Sequence, residues 1–361
     1  MSTLISQATK KRREIRIGSV RIGGDAPVVV QSMTKTHTSD WKATLDQIKK
    51  LQAAGCEMVR LAIPDRESVS ALKKIREQTT VPLIADIHFD HRLALAAVDS
   101  GIDGLRINPG NIGSKGKVKE VVSAAKQRMI PIRIGVNAGS LEKELLRKYG
   151  EATPEAMVES AIRHIRILED LDFQLIKVSL KASDVLRTVK AYELIAEQYD
   201  YPLHAGITEA GSLLSGSVKS SVGLALLLSK GLADTIRVSL TAPPEEEVRV
   251  AYLILNSLGL RSGGLNIISC PICGRCEVDL MRISAQIERK LSDVQAELTV
   301  AIMGCMVNGP GEAKEADIGL ACGRENAVIF RQGKLLRKIE EKDIVEEFVK
   351  EVKQMAARIR K

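Results

Sequence analysis

Eight short β-prone runs alternate with longer amphipathic stretches, and few folds accommodate that rhythm. The runs fall at 28–33, 57–63, 82–88, 104–109, 130–137, 173–180, 202–208 and 235–240. Between them apolar residues recur at helical spacing, as at Leu45, Ile48 and Leu51. Ser39, Asp90, Thr153 and Ser183 stand where helix N-caps are expected. Eight strand–helix units in about 250 residues match the count and length of a (β/α)8 TIM barrel. A doubly wound open sheet competes, but the eight regular units and the lack of a Gly-rich dinucleotide loop disfavour it.

The regularity stops at the Arg-Ser-Gly-Gly of 261–264. Beyond it the chain reads as a strand (265–268), a cysteine loop, a helix (278–291) and a strand (297–303). A second cysteine loop, a strand (327–331), a turn at Gln332-Gly333, a further strand and a helix (344–359) complete it. We therefore expect an α/β chain of two domains: a TIM barrel over 1–262 and a smaller α+β domain over 263–361. The charged 340–361 segment is read as a solvated helix face.

Cations recur along the expected barrel strands. Arg106, Lys177 and Arg237 each precede a small polar residue by two positions: Asn108, Ser179 and Ser239. Arg133 precedes Asn137 by four, and Arg60 sits alike in the second run. Side chains two apart on a strand share a face, and barrel active sites lie at the C-terminal strand ends. Cations converging there repel one another and lose hydration, two penalties that a polyanion relieves. A guanidinium fork matches phosphate oxygens. One such cation alone could snorkel outward or pair with an acid. Five strands sharing the pattern point to a phosphorylated substrate, with a diphosphate as the best fit. Asp86 and His88 close the third run, where a lone His or Asp is more often structural. The seventh run reads His204-Ala-Gly-Ile-Thr-Glu209-Ala-Gly. Its strand-top carboxylate, Glu209, is a candidate for general acid–base work. The hydroxyl-rich stretch from Gln31 to Asp40 either donates to a ligand or caps the next helix.

Cysteines define the second domain. Cys270, Cys273 and Cys276 form a C-x2-C-x2-C run, and Cys305 follows in Met-Gly-Cys-Met-Val-Asn-Gly-Pro-Gly-Glu312. Soft thiolates beside Gly and Pro turns select zinc or an iron–sulfur cluster. The Gly-Pro-Gly turn could aim the Glu312 carboxylate toward Cys305. Cys56 and Cys322, isolated among apolar residues, read as buried small hydrophobes.

Composition narrows the setting. The 361 residues are 45% hydrophobic and only 3% aromatic, so the core is aliphatic. No apolar run approaches the roughly 20 residues of a membrane span. Lys10, Lys11, Arg12 and Arg13 occur without a signal-peptide core. The expectation is a cytoplasmic protein with no membrane partner, where clustered cysteines mean metal or redox chemistry. A net charge of +8 favours an anionic substrate or an acidic partner. No aromatic stacking platform accompanies the basic residues, so nucleic acid is not expected.

Taken together the motifs carry a resemblance. They are Gln31-Ser-Met-Thr-x-Thr-x-Thr-x-Asp40, Val59-Arg60, Asp86-Ile-His88, Leu105-Arg-Ile-Asn-Pro-Gly110, Arg133-Ile-Gly-Val-Asn137, Gly206-Ile-Thr-Glu-Ala-Gly211, Ile236-Arg-Val-Ser239, Ser269-Cys-Pro-x-Cys-Gly-Arg275 and Gly304-Cys-x-Val-Asn-Gly-Pro-Gly-Glu312. With these the sequence resembles the bacterial hydroxymethylbutenyl diphosphate synthases of the non-mevalonate isoprenoid pathway, in their compact two-domain form. The resemblance implies a barrel followed by a domain similar to the cluster domain of sulfite and nitrite reductases. It implies one 4Fe-4S cluster per chain, held by Cys270, Cys273, Cys305 and Glu312, with Cys276 outside the pattern. The implied reaction is reductive dehydration and ring opening of 2-C-methyl-D-erythritol 2,4-cyclodiphosphate to 4-hydroxy-3-methylbut-2-enyl diphosphate. Glu209 and Glu312 would then serve catalysis. Arg60, Asp86, His88, Arg106, Asn108, Arg133, Asn137, Lys177, Ser179, His204, Arg237 and Ser239 would bind substrate. Reduced flavodoxin or ferredoxin would supply electrons to a head-to-tail homodimer. Two other readings compete: a pteroate-type barrel synthase, which needs no cluster, and a zinc-ribbon RNA-binding protein.

Overall fold

The computed structural model describes residues 12–261, 264–291, 294, 296–306, 311 and 313–359. The chain divides after Arg261 into two compact units. The first opens with an antiparallel hairpin, β1 (Ile15–Ile17) and β2 (Val20–Ile22), turned at Gly18 with φ +56°. Three-residue strands interrupted by Arg16 and Arg21 give no sustained alternation, so the hairpin has no clear signature in the sequence. Ile15, Ile17 and Ile22 pack with Val29, Met58 and Ile84 at the start of the barrel strands. The hairpin thus plugs the N-terminal end of the barrel.

The barrel strands are β3 (Val29–Met33), β4 (Met58–Ala62), β5 (Leu83–Asp86), β6 (Gly104–Arg106), β7 (Ile132–Asn137), β8 (Ile176–Lys181), β9 (His204–Ala205) and β10 (Thr235–Ile236). Each falls within or next to one of the eight expected runs. They are shorter because the residues after them leave the ladder for the mouth loops. All neighbours are parallel, in the order β8-β7-β6-β5-β4-β3-β10-β9. A parallel bridge, Val178 with Leu203, joins β8 to β9 and nearly closes the ring. Strands buried on both faces are what an enclosed parallel sheet demands.

Helices cover the outside with one-sided apolar stripes. The helix Trp41–Ala53 buries Leu45, Ile48 and Leu51, and Arg66–Arg76 buries Ala71, Leu72 and Ile75. Asp90 and Thr153 cap helices as expected. Two other caps shift by one residue: Asp40 rather than Ser39 accepts from Ala43 N, and Asp184 rather than Ser183 accepts from Arg187 N. In each case the side chain within reach of the N3 amide takes the role. Among the described residues no helix is long and apolar enough to cross a membrane.

The second unit is a five-stranded sheet: β11 (Leu265–Ser269), β12 (Leu298–Met303), β13 (Ile318–Gly323), β14 (Asn326–Arg331) and β15 (Lys334–Glu340). Neighbours follow chain order, the first three strands parallel and the last two antiparallel. The helices Leu280–Leu291 and Ile344–Ile359 pack Ile283, Ile287, Phe348 and Val352 against one face. Met303, Ala321 and Phe330 line the other. β13 is an addition to the elements expected from sequence. All six of its residues are buried, so this central strand has neither polar alternation nor a strong β-branched signature.

The plug is part of the barrel core, so its loss is costly. Ile22→Ala, at a fully buried position, is expected to lower stability by about 2–5 kcal/mol, read from the urea midpoint with an unchanged m-value.

Candidate active site in the barrel

Strand register builds the site. Asp86 pairs with Arg106, Arg106 with Arg133, and Arg133 with Lys177. One carboxylate and three cations thus occupy a single row across four adjacent strands. All four are buried. Arg60 approaches from β4, its Nε 3.4 Å from Asp86 Oδ2, while Arg106 Nη1 lies 3.3 Å from Asp86 Oδ1. Asp86 therefore pairs with two cations at once and balances the charge of one. Arg60 also turns Nη2 toward Met33 Sδ at 2.9 Å. Arg133 Nη1 donates to the Ser179 hydroxyl.

A backbone node holds the first of the two central guanidinium groups, that of Arg106. Arg106 Nη2 and Asn108 Nδ2 both donate to Gly135 O, at 2.9 and 3.0 Å, and Gly135 N returns a hydrogen bond to Asn108 Oδ1 at 2.9 Å. A Cβ on Gly135 would lie 2.7 Å from Arg106 Nε and 3.1 Å from Arg133 Nη1. The glycine makes the room in which the two cations pass.

The electrostatics are unbalanced. Adjacent strands lie about 5 Å apart, where like charges repel by roughly 3 kcal/mol at an effective dielectric of about 20. Burial pushes Arg60 down to about 9, with Arg237 and Arg106 adding repulsion against the pull of Asp86. Burial and neighbouring cations hold Arg133, Lys177 and Lys181 well below their ordinary values. Arg237 is lowered by burial as well. Burial would raise Asp86, yet Arg60, Arg106 and Arg133 together outweigh it and keep the carboxylate below its ordinary value. Among the described residues, Arg133 Nε and Nη2, Lys177 Nζ and Arg237 Nε are buried without a partner. Buried cationic donors without a partner are what an anion would satisfy.

The remaining predicted residues fall into two groups. His88 stands at the strand top with both ring nitrogens near Arg106 Nη1, at 3.1 and 3.2 Å. Burial and nearby cations lower it below its ordinary value, against the pull of Asp86. His204 is fully buried, its Nδ1 2.8 Å from the Thr235 hydroxyl and its Nε2 unpartnered. Asn137 and Ser239 are half-buried just beyond their cations. Glu209 is exposed on the loop after β9, with a left-handed backbone at φ 51°. It is not part of the buried cluster.

Two further residues of the site were not apparent from sequence. Lys181 is buried on the same strand as Lys177, and the alternation Lys177-Val-Ser179-Leu-Lys181 carries that signal. Glu247, also buried, accepts from Leu240 N at 2.9 Å and pairs with Lys35 Nζ at 2.9 Å. Its place in a run of three glutamates disguised it as helix-start charge. Through Lys35 and Ser32 it ties the hydroxyl-rich loop to the end of the β10 run. Gln31 lies in the same region with both amide atoms buried and unpartnered.

In the second unit Cys270 follows β11 and Cys305 follows β12. These strands are adjacent and parallel, Ser269 pairing with Ile302. The two cysteine loops therefore leave the same sheet end side by side. Cys273 is exposed, while Cys270, Cys276 and Cys305 are half-buried. Cys276 Sγ lies 3.3 Å from Val278 O and 2.8 Å from where a Gly304 Cβ would be. Among the described residues no three His, Cys, Asp or Glu side chains converge as a metal site. Glu312, the expected fourth ligand, lies outside the described residues.

A parallel eight-stranded barrel with a cationic inner wall, joined to a separate unit bearing cysteine loops, defines a two-part barrel protein. The chain belongs to the GcpE family: residues 12–252 match its TIM-barrel domain and 266–354 its C-terminal domain. A Geobacter sulfurreducens relative, 58% identical over 96% of this chain and 98% of its own, is named 4-hydroxy-3-methylbut-2-en-1-yl diphosphate synthase (flavodoxin). A Thermodesulfovibrio yellowstonii protein of the same name is 56% identical over 95% of this chain and 99% of its own. Membership leaves the pteroate-type and zinc-ribbon readings without support. The N-acetylneuraminic acid synthetase structure from Leptospira borgpetersenii shares only the fold, with a TM-score of 0.50 at 13% identity over 78% of this chain and 97% of its own.

Gly135→Ala is expected to displace both central guanidinium groups. Calorimetry should show pyrophosphate binding weakened by at least about tenfold, the loss of about one charge-assisted hydrogen bond, with the fold retained by circular dichroism.

Proposed function

We propose that this chain is an iron–sulfur oxidoreductase that converts 2-C-methyl-D-erythritol 2,4-cyclodiphosphate to 4-hydroxy-3-methylbut-2-enyl diphosphate. The single observation that carries the reading is the buried row Asp86–Arg106–Arg133–Lys177, with its unpartnered donors. A cyclic diphosphate offers anionic oxygens to Arg133, Lys177 and Arg237 together. Arg60 and Arg106, already steadied by Asp86, face the same anion. Ser179 orients Arg133, and Asn108 fixes the Gly135 carbonyl beneath Arg106. Asn137, Ser239 and His88 line the approach to that group, and His204 sits buried beside Thr235. Glu209 stands at the mouth, free of the ring, where a carboxylate can exchange protons with water. The reaction takes up two electrons and two protons and releases water.

The sequence supports Cys270, Cys273, Cys305 and Glu312 as holders of a 4Fe-4S cluster, and the strand order is consistent with Cys270 and Cys305 sharing it. Soft thiolates on two neighbouring loops suit iron–sulfur binding. When bound, such a cluster supplies the electrons one at a time. The flavodoxin named with the relatives is the electron donor that fits, being of the acidic kind a +8 chain attracts. The setting is cytoplasmic.

A head-to-tail homodimer completes the proposal. In the dimers that the resemblance implies, one subunit's cysteine unit covers the other's barrel. An apolar groove between the helices Leu213–Ser229 and Pro244–Ser257, lined by Leu213, Leu214, Val250, Leu253 and Leu258, offers the contact.

Anaerobically prepared protein is expected to carry iron rather than zinc and, with reduced flavodoxin, to turn over the cyclic diphosphate. Cys270→Ser, Cys273→Ser, Cys305→Ser and Glu312→Ala should each lower iron per chain, and Cys276→Ser should not. Loss of iron in Cys276→Ser with retention in Glu312→Ala would refute the ligand set. Separately, Leu214→Glu with Leu253→Glu should convert dimer to monomer by light scattering.

A further inference from the structure

Behind the barrel wall a buried histidine joins two mouth loops. His164 is buried on the helix Pro154–Glu169. Gly110 N donates to its Nδ1 at 3.1 Å, and its Nε2 lies 3.2 Å from Glu142 Oε1. The Gly110 amide can only donate, so Nδ1 is unprotonated and the ring proton sits on Nε2, donating to Glu142. Ser160 also donates to Glu142 Oε1, at 3.0 Å. Packing adds to the bond. A Cβ on Gly110 would meet His164 Cε1 at 2.8 Å.

The two tethered loops both lead to the cationic row. Gly110 lies in the short 3-10 turn Pro109–Asn111, directly after Asn108. Glu142 follows the turn Ala138–Ser140, directly after Asn137. Asn108 exchanges two hydrogen bonds with Gly135, the residue that makes room for Arg106 and Arg133. Contacts therefore run without a break from His164 through Gly110, Asn108 and Gly135 to the two guanidinium groups.

We propose that His164, oriented by Glu142, is a positioning residue that sets the anion-binding geometry of Arg106 and Arg133 by holding the Gly110 turn. The proposal rests on the diphosphate reading of the mouth. It differs from a packing role in one respect: the hydrogen-bond acceptor facing Gly110 must matter, not only the volume of the ring.

Asn places an oxygen near the position of Nδ1, and Leu fills the space without an acceptor. His164→Leu is expected to weaken binding of the cyclic diphosphate about tenfold, the effect of losing one buried hydrogen bond. His164→Asn should recover most of that loss. Amide exchange at Gly110 should accelerate in the Leu variant and stay near wild type in the Asn variant. Asn108→Ala combined with His164→Leu should weaken binding by less than the product of the single effects, because both act on one chain of contacts. Should the Leu variant fail to fold, Glu142→Ala, at a partly exposed site, is expected to give the same pattern more weakly. Equal losses in the Leu and Asn variants, or faster Gly110 exchange with unchanged binding, would overturn the proposal. Wild-type protein that ignores the cyclic diphosphate would fail the functional reading instead. Gly110 exchange would still decide whether the His164 tether exists.

Discussion

A surplus of positive charge held out of water governs the first unit. Asp86 answers Arg60 and Arg106, yet Arg133 stands between two cations in register, and Lys177 Nζ has no partner among the described residues. Such a row is unfavourable in a folded chain by itself. Lost hydration and mutual repulsion both act against it. It persists because the surrounding aliphatic shell supplies stability independently. Ile48, Leu51, Leu72 and Ile75 on the helices share one core with Val59, Leu61 and Leu83 on the strands. Natural sites commonly keep such locally unfavourable arrangements where binding needs them.

Small residues and amides do the fine placement. Gly135 lets two guanidinium groups pass where any side chain would intrude, and Asn108 fixes the carbonyl that Arg106 reaches. Gly206 plays a similar part across the ring, since a Cβ there would lie 2.3 Å from Arg237 O and 3.0 Å from Lys181 Nζ. On another side, buried Glu247 gathers Lys35, Ser32 and the Leu240 amide. Each device fixes a backbone segment, so the cations it carries arrive with little freedom left to lose on binding.

Much of this was legible in the chain. Eight β-prone runs implied the barrel, and the cation two residues before a small polar residue singled out Arg106, Lys177 and Arg237, with Arg133 four before Asn137. What sequence could not supply was register. Nothing in the residues alone says that Asp86 pairs with Arg106, or that Arg106 pairs with Arg133, because alignment across strands is set by the whole closed ring. Glu247 was hidden for a related reason: three successive glutamates look alike until the helix turns one inward. β13 was lost because Gly319, Ala321 and Cys322 suit a buried centre and lack the pattern of a half-exposed strand. Cys276 could not be separated from its neighbours by spacing alone. Its Sγ lies 3.3 Å from Val278 O and close to Gly304, beside Cys305.

The isoleucine hairpin at the barrel's far end has a kinetic meaning. It fills that end of the barrel with aliphatic side chains, so whatever enters at the opposite rim must leave by the same door. Arrival of a fresh molecule is thereby forbidden until the spent one has departed, and any group that settles over the rim sets the pace of both events.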